Sequence, residues 1–316
     1  MKEIGGYLGL EESASGEYYK EIVSLNTARN ALVYLIKAKS IKKIYIPFFL
    51  CESIKCVLER ENCNYEQYHI NKRLLPSLDK KMEKDEYLYF VNYYGMFDND
   101  EIDKIKDKYE NIIIDNVQAF FQAPIKGIDT IYSCRKFFGV PDGAYLSTDA
   151  CVNEQIEIDV SMNRMKHILG RYEGESANEY YSDFKANDAS FKDLELRYMS
   201  RLTHNLLRNI DYESAKAIRE QNYKYLNEKL GDKNSLKVKM PAGPYAYPFY
   251  VKNGMQIKKQ LAEKKIYVPT LWPNVLAMDG SLEKDYAENI LPLPIDQRYD
   301  NGDMKIIVEE LFKCLS

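Results

Sequence analysis

The run Asn111-Ile-Ile-Ile-Asp115 decides the fold class of this 316-residue chain. Three consecutive isoleucines predict a strand buried on both faces, because a strand with one face in water alternates apolar and polar side chains. The run from Tyr87 to Asn92 has the same character. Such strands are typical of a parallel sheet covered by helices on both sides. In that architecture binding groups gather at the carboxyl ends of the strands, where Asp115 lies.

Helices are predicted between these strands. Asn26 and Thr27 are residue types that favour helix N-caps, and the apolar residues behind them have the spacing of an amphipathic helix that ends near Lys39. The other elements of residues 25–150 are a strand at 43–47, a helix at 52–60 and a helix at 102–109. Strand and helix therefore alternate, as in a doubly covered, mostly parallel sheet.

The pattern changes after residue 190. The predicted elements there are a helix-rich stretch at 194–230, strands at 247–251 and 266–268, and a last helix at 303–315. We therefore predict two domains, a large one of residues 1–200 and a smaller α+β domain of residues 201–316.

The composition excludes several function classes. Lys and Arg number 44 and Asp and Glu 48, so the net charge is −4 and nothing favours nucleic acid or an anionic membrane as a partner. The longest apolar run, Ile44 to Cys51, is far shorter than the roughly 20 residues that span a bilayer. Six cysteines without a C-x-x-C pair and three scattered histidines predict neither a disulfide scaffold nor a metal centre. With no secretory signal at the amino terminus, the predicted location is the cytoplasm.

The stretch Asp129-Thr-Ile-Tyr-Ser-Cys-Arg-Lys136 places a lysine on the connection between two short strands, at 130–132 and 144–146. Two phenylalanines follow the lysine, and we expect them to reduce its solvation. Desolvation lowers the pKa of an ammonium group toward that of the neutral amine that attacks an aldehyde. The alternative is a surface lysine that packs its stem on Phe137 or Phe138, which is the commoner situation for an arbitrary lysine.

Asp115 gives the lysine a chemical context. A carboxylate at the end of a buried strand costs several kcal/mol unless it meets a cation. The protonated pyridine nitrogen of pyridoxal 5′-phosphate is such a cation, and the helix start at 26–28 offers N–H groups to its phosphate. Taken alone, Asp115 also fits an N-cap or a structural ion pair, and Gln118 fits a half-exposed turn residue.

The order of these segments resembles the DegT/DnrJ/StrS group of sugar aminotransferases, which depend on pyridoxal phosphate. The segments that carry the resemblance are 25–32, 113–119, Ser133-Cys-Arg-Lys136 and the glycine-containing turn at 139–143, with further similarity at Ile4-Gly-Gly6, Tyr93-Tyr-Gly95, 197–200, 266–269 and 291–295. The resemblance implies an α/β chain of fold type I. In that fold a large domain with a mostly parallel seven-stranded sheet, covered by helices, is joined to a smaller α+β C-terminal domain.

The resemblance also implies a role for particular residues. Lys136 forms the internal aldimine and then moves a proton, and Asp115 pairs with the pyridinium nitrogen. The remaining cofactor contacts are Gln118 to the ring substituents and Thr27, Ala28 and Ser133 to the phosphate. The candidate substrate contacts are Tyr94, Arg135 and Arg197, although Arg135 also fits an ion pair with Asp142. The residue that stacks on the cofactor ring is left open between Phe49 and Cys51.

The function implied by the resemblance is the transfer of an amino group, with glutamate as the expected donor, to a keto group of a nucleotide-linked deoxysugar. The expected enzyme is a cytoplasmic homodimer with shared active sites, in amino-sugar and cell-surface polysaccharide biosynthesis. Lys136 argues against a sugar dehydratase, because dehydratases of this group replace that lysine. One alternative is a metal-dependent glycosyltransferase that uses Asp98 and Asp100 as a D-x-D motif, although acids at that place also suit a helix N-cap. Another is a pyridoxal-phosphate-binding homologue without transaminase activity.

Overall fold

The computed structural model describes residues 4–174 and 176–315. The strands are β1 (Val23–Leu25), β2 (Lys43–Pro47), β3 (Asn64–Ile70), β4 (Pro76–Ser77), β5 (Glu86–Val91), β6 (Ile112–Asp115), β7 (Asp129–Ser133), β8 (Ala144–Ser147), β9 (Tyr247–Tyr250) and β10 (Ile290–Leu293). The helices are α1 (Ala28–Lys39), α2 (Glu52–Arg60), α3 (Asn99–Tyr109), α4 (Lys166–Glu173), α5 (Tyr181–Ser190), α6 (Arg201–Arg208), α7 (Tyr212–Leu230), α8 (Gly254–Glu263), α9 (Leu282–Asn289) and α10 (Asn301–Leu315). None of these helices is long and apolar enough to cross a bilayer.

The large sheet has the strand order β1-β8-β7-β6-β5-β2-β3-β4. The five central strands β3, β2, β5, β6 and β7 are parallel, and β8 runs antiparallel to both β7 and β1. The sheet has eight strands rather than the expected seven, because the two-residue strand β4 pairs with the end of β3. The mostly parallel character of the sheet agrees with the prediction.

The two faces of β7 are buried by different apolar clusters. Side chains alternate across a strand, so Ile131 faces one side of β7 and Tyr132 the other. Ile131 belongs to the main core, which α1, α2 and α3 complete, whereas Tyr132 packs among Phe120, Phe137 and their neighbours. The continuous apolar runs of the central strands are therefore explained by burial on both faces.

The carboxyl-terminal part of the chain has a small sheet of its own. β9 pairs antiparallel with β10, and both pack against α7, α8 and α10 through a separate apolar cluster. The expected strand at 266–268 is absent from the described residues, because Ile266 bonds back to Leu261 at the end of α8. The division into domains at residues 200 and 201 stays a prediction.

The helix-rich stretch expected from residue 194 begins only with α6. Residues 194–200 are not helical, and Tyr198 forms bridges with Leu25 and Ile158. The N–H of Met199 donates to the carbonyl of Ser24, so the backbone of this segment is occupied by the edge of the sheet rather than by a helix. As a result, the segment holds the amino-terminal approach to α1 in place.

Candidate functional site

Lys136 ends a short helical turn, Cys134–Lys136, that follows β7. The N–H groups of Phe137 and Phe138 both donate to the carbonyl of Cys134, at 3.0 and 2.9 Å, and this turns the two rings into the core. Lys136 is left exposed. The expectation that the two aromatic residues desolvate the lysine is therefore wrong, because both rings are buried while Lys136 stays exposed.

Lys136 opens into a cavity of about 480 Å³, here called the lysine cavity. Its walls come from the α4–α5 region and from the carboxyl-terminal part of the chain, and they include His167, Arg171, Tyr180, Phe184, Tyr267 and Arg298. Within the described part of the chain, Nζ of Lys136 makes no hydrogen bond or ion pair. The amine is therefore available to a ligand in the lysine cavity.

Asp115 is the last residue of β6 and is only 4% exposed. Its Oδ2 accepts a hydrogen bond from the hydroxyl of Tyr89 at 2.9 Å, and its Oδ1 accepts one from the N–H of Val117 at 3.0 Å. Both donors are neutral. Burial raises the pKa of Asp115 to about 6, while the two hydrogen bonds and the charge of Lys136 act in the opposite direction. Since β6 and β7 are neighbours, the sheet brings Asp115 and Lys136 together at its carboxyl edge.

Gln118 and Tyr94 are also held at this edge. The Gln118 side-chain oxygen accepts a hydrogen bond from the backbone N–H of Tyr94 at 2.7 Å. Tyr94 has a left-handed backbone, with φ at 56°, and its ring is buried near Trp272, at a centroid distance of 6.0 Å. Gln118 thus fixes a strained turn beside Asp115.

The N-terminus of α1 lies where the sequence predicts it. The Thr27 hydroxyl accepts a hydrogen bond from the N–H of Asn30 at 3.1 Å and caps the helix. The first turn contains no acid, and Arg29 adds a positive charge to it. The first N–H groups of a helix have no partner within the helix. Ala28 and Arg29 therefore present N–H groups at a positively charged helix end, which suits an anion.

Arg135 precedes Lys136 and packs on the ring of Phe191. Its guanidinium stacks over that ring at 4.2 Å and pairs with Asp188 at 3.3 Å. Burial lowers the pKa of Arg135, and the charge of Arg29 acts in the same direction. The alternative pairing of Arg135 with Asp142 is wrong. Asp142 pairs with Arg164 instead, and Asp188 is the counter-ion of Arg135.

Ser133 and Arg197 lie at the margins of the site. Ser133 ends β7, and its side chain makes no capping hydrogen bond to the turn that follows. The Arg197 guanidinium pairs with Glu157 and Glu195, at 3.4 and 3.2 Å, while its carbonyl accepts a hydrogen bond from Asn26 at 2.9 Å. Arg197 is thus beside the start of α1 through its backbone, with its charge held by two acids.

The D-x-D motif serves a helix end. Asp98 is the N-cap of α3 in a capping box with Glu101, and Lys239 forms ion pairs with both acids. In residues 4–174 and 176–315 no three His, Cys, Asp or Glu side chains are grouped so that they could hold a metal ion. Nothing in this geometry favours a metal-bound sugar nucleotide at Asp98 and Asp100.

Several side chains at the site carried no recognisable signal in the sequence. Tyr89 is one residue of an apolar strand, and nothing in its run marks it as the partner of Asp115. One part of the wall of the lysine cavity comes from α4 and α5, which bury no apolar side chain that would mark them in the sequence. Phe49 is fully buried against Trp272, with a centroid distance of 4.4 Å, whereas Cys51 is exposed. Both residues are candidates for stacking on the cofactor ring, and of the two only Cys51 is exposed.

Comparison with known proteins yields similarity of structure only. No protein-family model matches the sequence, and none of the curated proteins is similar to it. DesV from S. venezuelae, solved in complex with a ketimine intermediate, superposes with a TM-score of 0.64 at 15% identity, over 92% of this chain and 83% of that one. NtdA from Bacillus subtilis, with bound PMP, has a TM-score of 0.66 at 14% identity, over 94% and 73%.

A third similar structure is that of a dehydratase. GDP-4-keto-6-deoxy-D-mannose-3-dehydratase from E. coli, with bound hydrated PLP, has a TM-score of 0.59 at 16% identity, over 92% of this chain and 87% of that one. Identities this low establish the fold alone. The predicted fold class, that of the type I pyridoxal-phosphate-dependent transferases, is confirmed. The sugar aminotransferase CalS13 from Micromonospora echinospora, with a TM-score of 0.61 at 13% identity over 92% of this chain and 86% of that one, is also similar in structure. A DegT DnrJ EryC1 StrS aminotransferase from Brucella abortus, with a TM-score of 0.59 at 15% identity over 93% and 86%, bears the name of the group that the sequence resembles.

Proposed function

We propose that this protein is a pyridoxal-phosphate-dependent aminotransferase that acts on a keto sugar. The observation that carries the proposal is the pair of Asp115 and Lys136. None of the described residues gives the buried carboxylate a cation in contact or the amine a counter-ion, and the two groups share the carboxyl edge of two neighbouring strands. In open α/β sheets this edge is where ligands bind.

The residues present fit the cofactor. A protonated ring nitrogen would give Asp115 the cation that its neutral donors Tyr89 and Val117 do not supply. The N–H groups at the start of α1 suit a phosphate, and Thr27, Ala28 and Ser133 are its proposed contacts. Gln118 is the proposed contact of the ring substituents. The exposed amine of Lys136 is accessible to the aldehyde of a cofactor that enters through the lysine cavity.

Each side chain then has a defined task. When bound, the cofactor would supply an aldehyde that condenses with amines and a ring that withdraws electrons. Asp115 would keep the ring nitrogen protonated. Nζ of Lys136 would hold the cofactor and then carry the proton at the carbon that gains or loses nitrogen. Lys136 also favours amino transfer over a dehydratase reaction, as the sequence resemblance implies.

The proposed substrates are a nucleotide-linked deoxysugar and an amino acid donor, for which glutamate is the first choice. The lysine cavity supports a large anionic substrate, because its walls combine Arg171 with several tyrosines. Arg298, also in the wall, is already paired with Asp296. Guanidinium groups bind phosphate oxygens, and tyrosine rings pack on sugars and bases. Tyr94, Arg135 and Arg197 stay proposed substrate contacts. Cytoplasmic location and a part in amino-sugar and cell-surface polysaccharide synthesis belong to the same proposal.

A homodimer with shared active sites is also part of the proposal. Ile158, Val160 and Met162 are exposed by 57%, 67% and 67%, whereas Asp159 and Ser161 between them are buried, so the three apolar side chains lie on the outer side of the segment. Tyr198, which bridges to Ile158, adds to this apolar face and lies directly beside Arg197. Apolar faces of this kind mark contacts with another chain. A second copy seated here would lie close to the start of α1.

The first experiment asks whether Lys136 binds the cofactor covalently. Purified protein mixed with pyridoxal phosphate should show the visible absorbance of a lysine-bound aldehyde, and borohydride should bleach it and leave the label on the peptide that contains Lys136. The Lys136→Ala variant should show neither. A band that persists in Lys136→Ala, or a label on another lysine, would overturn the assignment.

The second experiment addresses the substrate. The loaded protein is mixed with glutamate and then with individual nucleotide-linked keto sugars, and the amino sugar is detected by mass spectrometry. Arg171→Ala should raise the KM for the sugar nucleotide and leave the reaction with glutamate unchanged, because the guanidinium is proposed to contact only the larger substrate. An amino group found on a small keto acid but on no sugar would contradict the substrate class.

A further inference from the structure

A buried group of charged side chains connects the two segments that form the site. Asp142 belongs to the turn behind Lys136 and is fully buried. The Nη2 atom of Arg164 donates to Asp142 Oδ2 at 2.5 Å and to Asp159 Oδ2 at 2.7 Å. One guanidinium nitrogen therefore bridges two aspartates that are 0% and 5% exposed.

The same group reaches the start of α1. Asp159 Oδ2 also accepts a hydrogen bond from the side chain of Asn26 at 3.3 Å, and the Asn26 carbonyl accepts one from the N–H of Gly143 at 2.7 Å. Gly143 in turn bonds through its carbonyl to the N–H of Cys134, at 3.1 Å. The turn behind Lys136 and the N-cap region of α1 are thus joined both directly and through Arg164.

A third element completes the connection. The other oxygen of Asp142 accepts a hydrogen bond from the hydroxyl of Thr203 in α6. Thr203 is linked to Ser200, the N-cap of α6, at 3.0 Å, and Ser200 to Ser161 at 2.6 Å. Arg164 itself is 15% exposed, but the side chains that it connects are buried, so water cannot easily replace a partner that they lose.

We infer that Arg164 is a positioning residue that holds the Lys136 turn and the N-terminus of α1 at a fixed separation. Two buried aspartates of like charge repel each other, and one cation between them turns this repulsion into a link. Burial raises the pKa of Asp142, whereas Arg164 and Thr203 act to lower it, which agrees with a carboxylate that depends on these two partners. Without Arg164, Asp142 and Asp159 would separate and the turn would shift relative to α1.

The inference rests on the proposed function, because the fixed separation matters only if one ligand contacts both Lys136 and α1. A ligand held at both ends loses affinity when either end moves, since correct geometry must then be restored on binding. The effect of Arg164 on binding should therefore exceed its effect on the stability of the fold.

The test uses two variants that each remove the cation from a buried aspartate. Arg164→Met leaves Asp142 and Asp159 without a cation. Lys39→Met does the same to Asp129, which is 4% exposed, paired with Lys39 at 2.5 Å, and placed at the opposite end of β7. Both variants should unfold at lower denaturant concentration. Only Arg164→Met should lower the affinity for pyridoxal phosphate, by tenfold or more, in a titration followed by absorbance.

The conservative variant provides a second readout. Because a single nitrogen of Arg164 bridges both carboxylates, an ammonium group can replace it, and Arg164→Lys should recover a measurable part of the affinity. Equal affinity in wild type and Arg164→Met, or an equal loss in Lys39→Met, would overturn the inference.

Amide hydrogen exchange separates this inference from the proposed function. In the cofactor-free protein, exchange at residues 26–31 and 137–143 should be faster in Arg164→Met than in wild type, and unchanged in Lys39→Met. A wild-type protein that binds no pyridoxal phosphate would refute the proposed function, while the exchange result would still decide whether Arg164 ties the two segments together. Unchanged exchange in Arg164→Met would refute the tie itself.

Discussion

Asp115 and Asp129 are aspartates on neighbouring strands, each 4% exposed, and they differ in their partners. Asp129, at the amino end of β7, accepts hydrogen bonds from Lys39 at 2.5 Å and from Thr148 at 2.7 Å. Asp115, at the carboxyl end of β6, accepts hydrogen bonds from the neutral donors Tyr89 and Val117 and from no other residue in 4–174 and 176–315. One end of the sheet is thus electrostatically complete, and the other retains a carboxylate without a cation in contact.

The two lysines differ in the same way. Lys39 is committed to Asp129, whereas Nζ of Lys136 has no partner among the residues that the structure describes. Leaving charges uncompensated lowers the stability of a folded protein. Where such charges are found together, a ligand that compensates them is the physical explanation that fits best. The comparison therefore distinguishes a structural end of the sheet from a binding end.

The largest effect is expected from exchanging each lysine for methionine. Lys136→Met should reduce the rate of amino transfer by about 10³-fold or more, because it removes the group that carries the proton. Its free energy of unfolding should change by only about 0.5 kcal/mol, since the side chain is exposed. Lys39→Met should keep the rate and lose about 2 kcal/mol of stability, because Asp129 is left buried without its cation. Steady-state kinetics and urea unfolding measure both quantities.

If Lys39→Met loses activity as severely as Lys136→Met, the distinction between the two ends of the sheet is wrong. The cofactor content of each variant, read from absorbance after gel filtration, is the control that separates loss of binding from loss of chemistry.

Replacing Asp115 and Asp129 by asparagine should change the free energy of unfolding in opposite directions. At pH 8 and without cofactor, Asp115→Asn should raise the free energy of unfolding by about 2 to 3 kcal/mol, because it removes a buried charge whose pKa is raised to about 6. Asp129→Asn should lower it by about 1 to 2 kcal/mol, because the amide loses the attraction to Lys39. Asp115→Asn should also bind pyridoxal phosphate less tightly. A loss of stability in Asp115→Asn would mean that its carboxylate is compensated after all.

The gain from Asp115→Asn should depend on pH. The pKa of Asp115 is raised in the folded state from 3.8 to about 6, so the folded protein holds this proton more tightly than the unfolded chain. Stability from this group is fully present below the unfolded pKa and is lost as the pH rises through 6. The stability difference between Asp115→Asn and wild type should therefore be about half as large at pH 5 as at pH 8. A difference that stays constant from pH 5 to pH 8 would contradict the raised pKa.

Two glycines give the smallest contrast. Gly143, near the binding end, has φ at +108°, and an added Cβ would lie 2.9 Å from Thr203 and 3.3 Å from Cys134. Gly127, near the structural end, has φ at +76° but no atom closer than the Lys106 amine at 3.8 Å. Gly143→Ala should cost about 2 kcal/mol of stability and Gly127→Ala about 1 kcal/mol, from backbone strain alone. Equal costs in urea unfolding would show that the turn behind Lys136 adapts to the extra methyl group.

The central part of the fold could be predicted from the sequence because its patterns are local. α1 has the predicted cap at Thr27 and the predicted end at Lys39. β6 and β7 were identified from short apolar runs, and with them the places of Asp115 and Lys136. Their proximity follows from the parallel order of the strands, which periodicity alone suggests.

Other parts could not be predicted, because they depend on packing between distant segments. β3 reads Asn-Tyr-Glu-Gln-Tyr-His-Ile, and its polar residues hide the pattern of a strand. Its place in the sheet follows only from its pairing with β2. The side chains of α4 and α5 that line the lysine cavity are exposed, so no apolar stripe marks those helices. Arg164 and Asp142 are ordinary charged residues in the sequence, and only the fold shows that they share a buried contact.

The position of β1 has a consequence for how the chain folds during its synthesis. β1 pairs only with β8 in the large sheet, and Leu25 also forms a bridge with Tyr198. β1 therefore has no pairing partner until β8 and Tyr198 have left the ribosome. At roughly 5 to 20 residues per second, Tyr198 follows Thr27 by on the order of 10 s or more. A nascent chain can complete the start of α1 only after that delay, so the proposed cofactor would bind at the end of folding rather than assist its beginning.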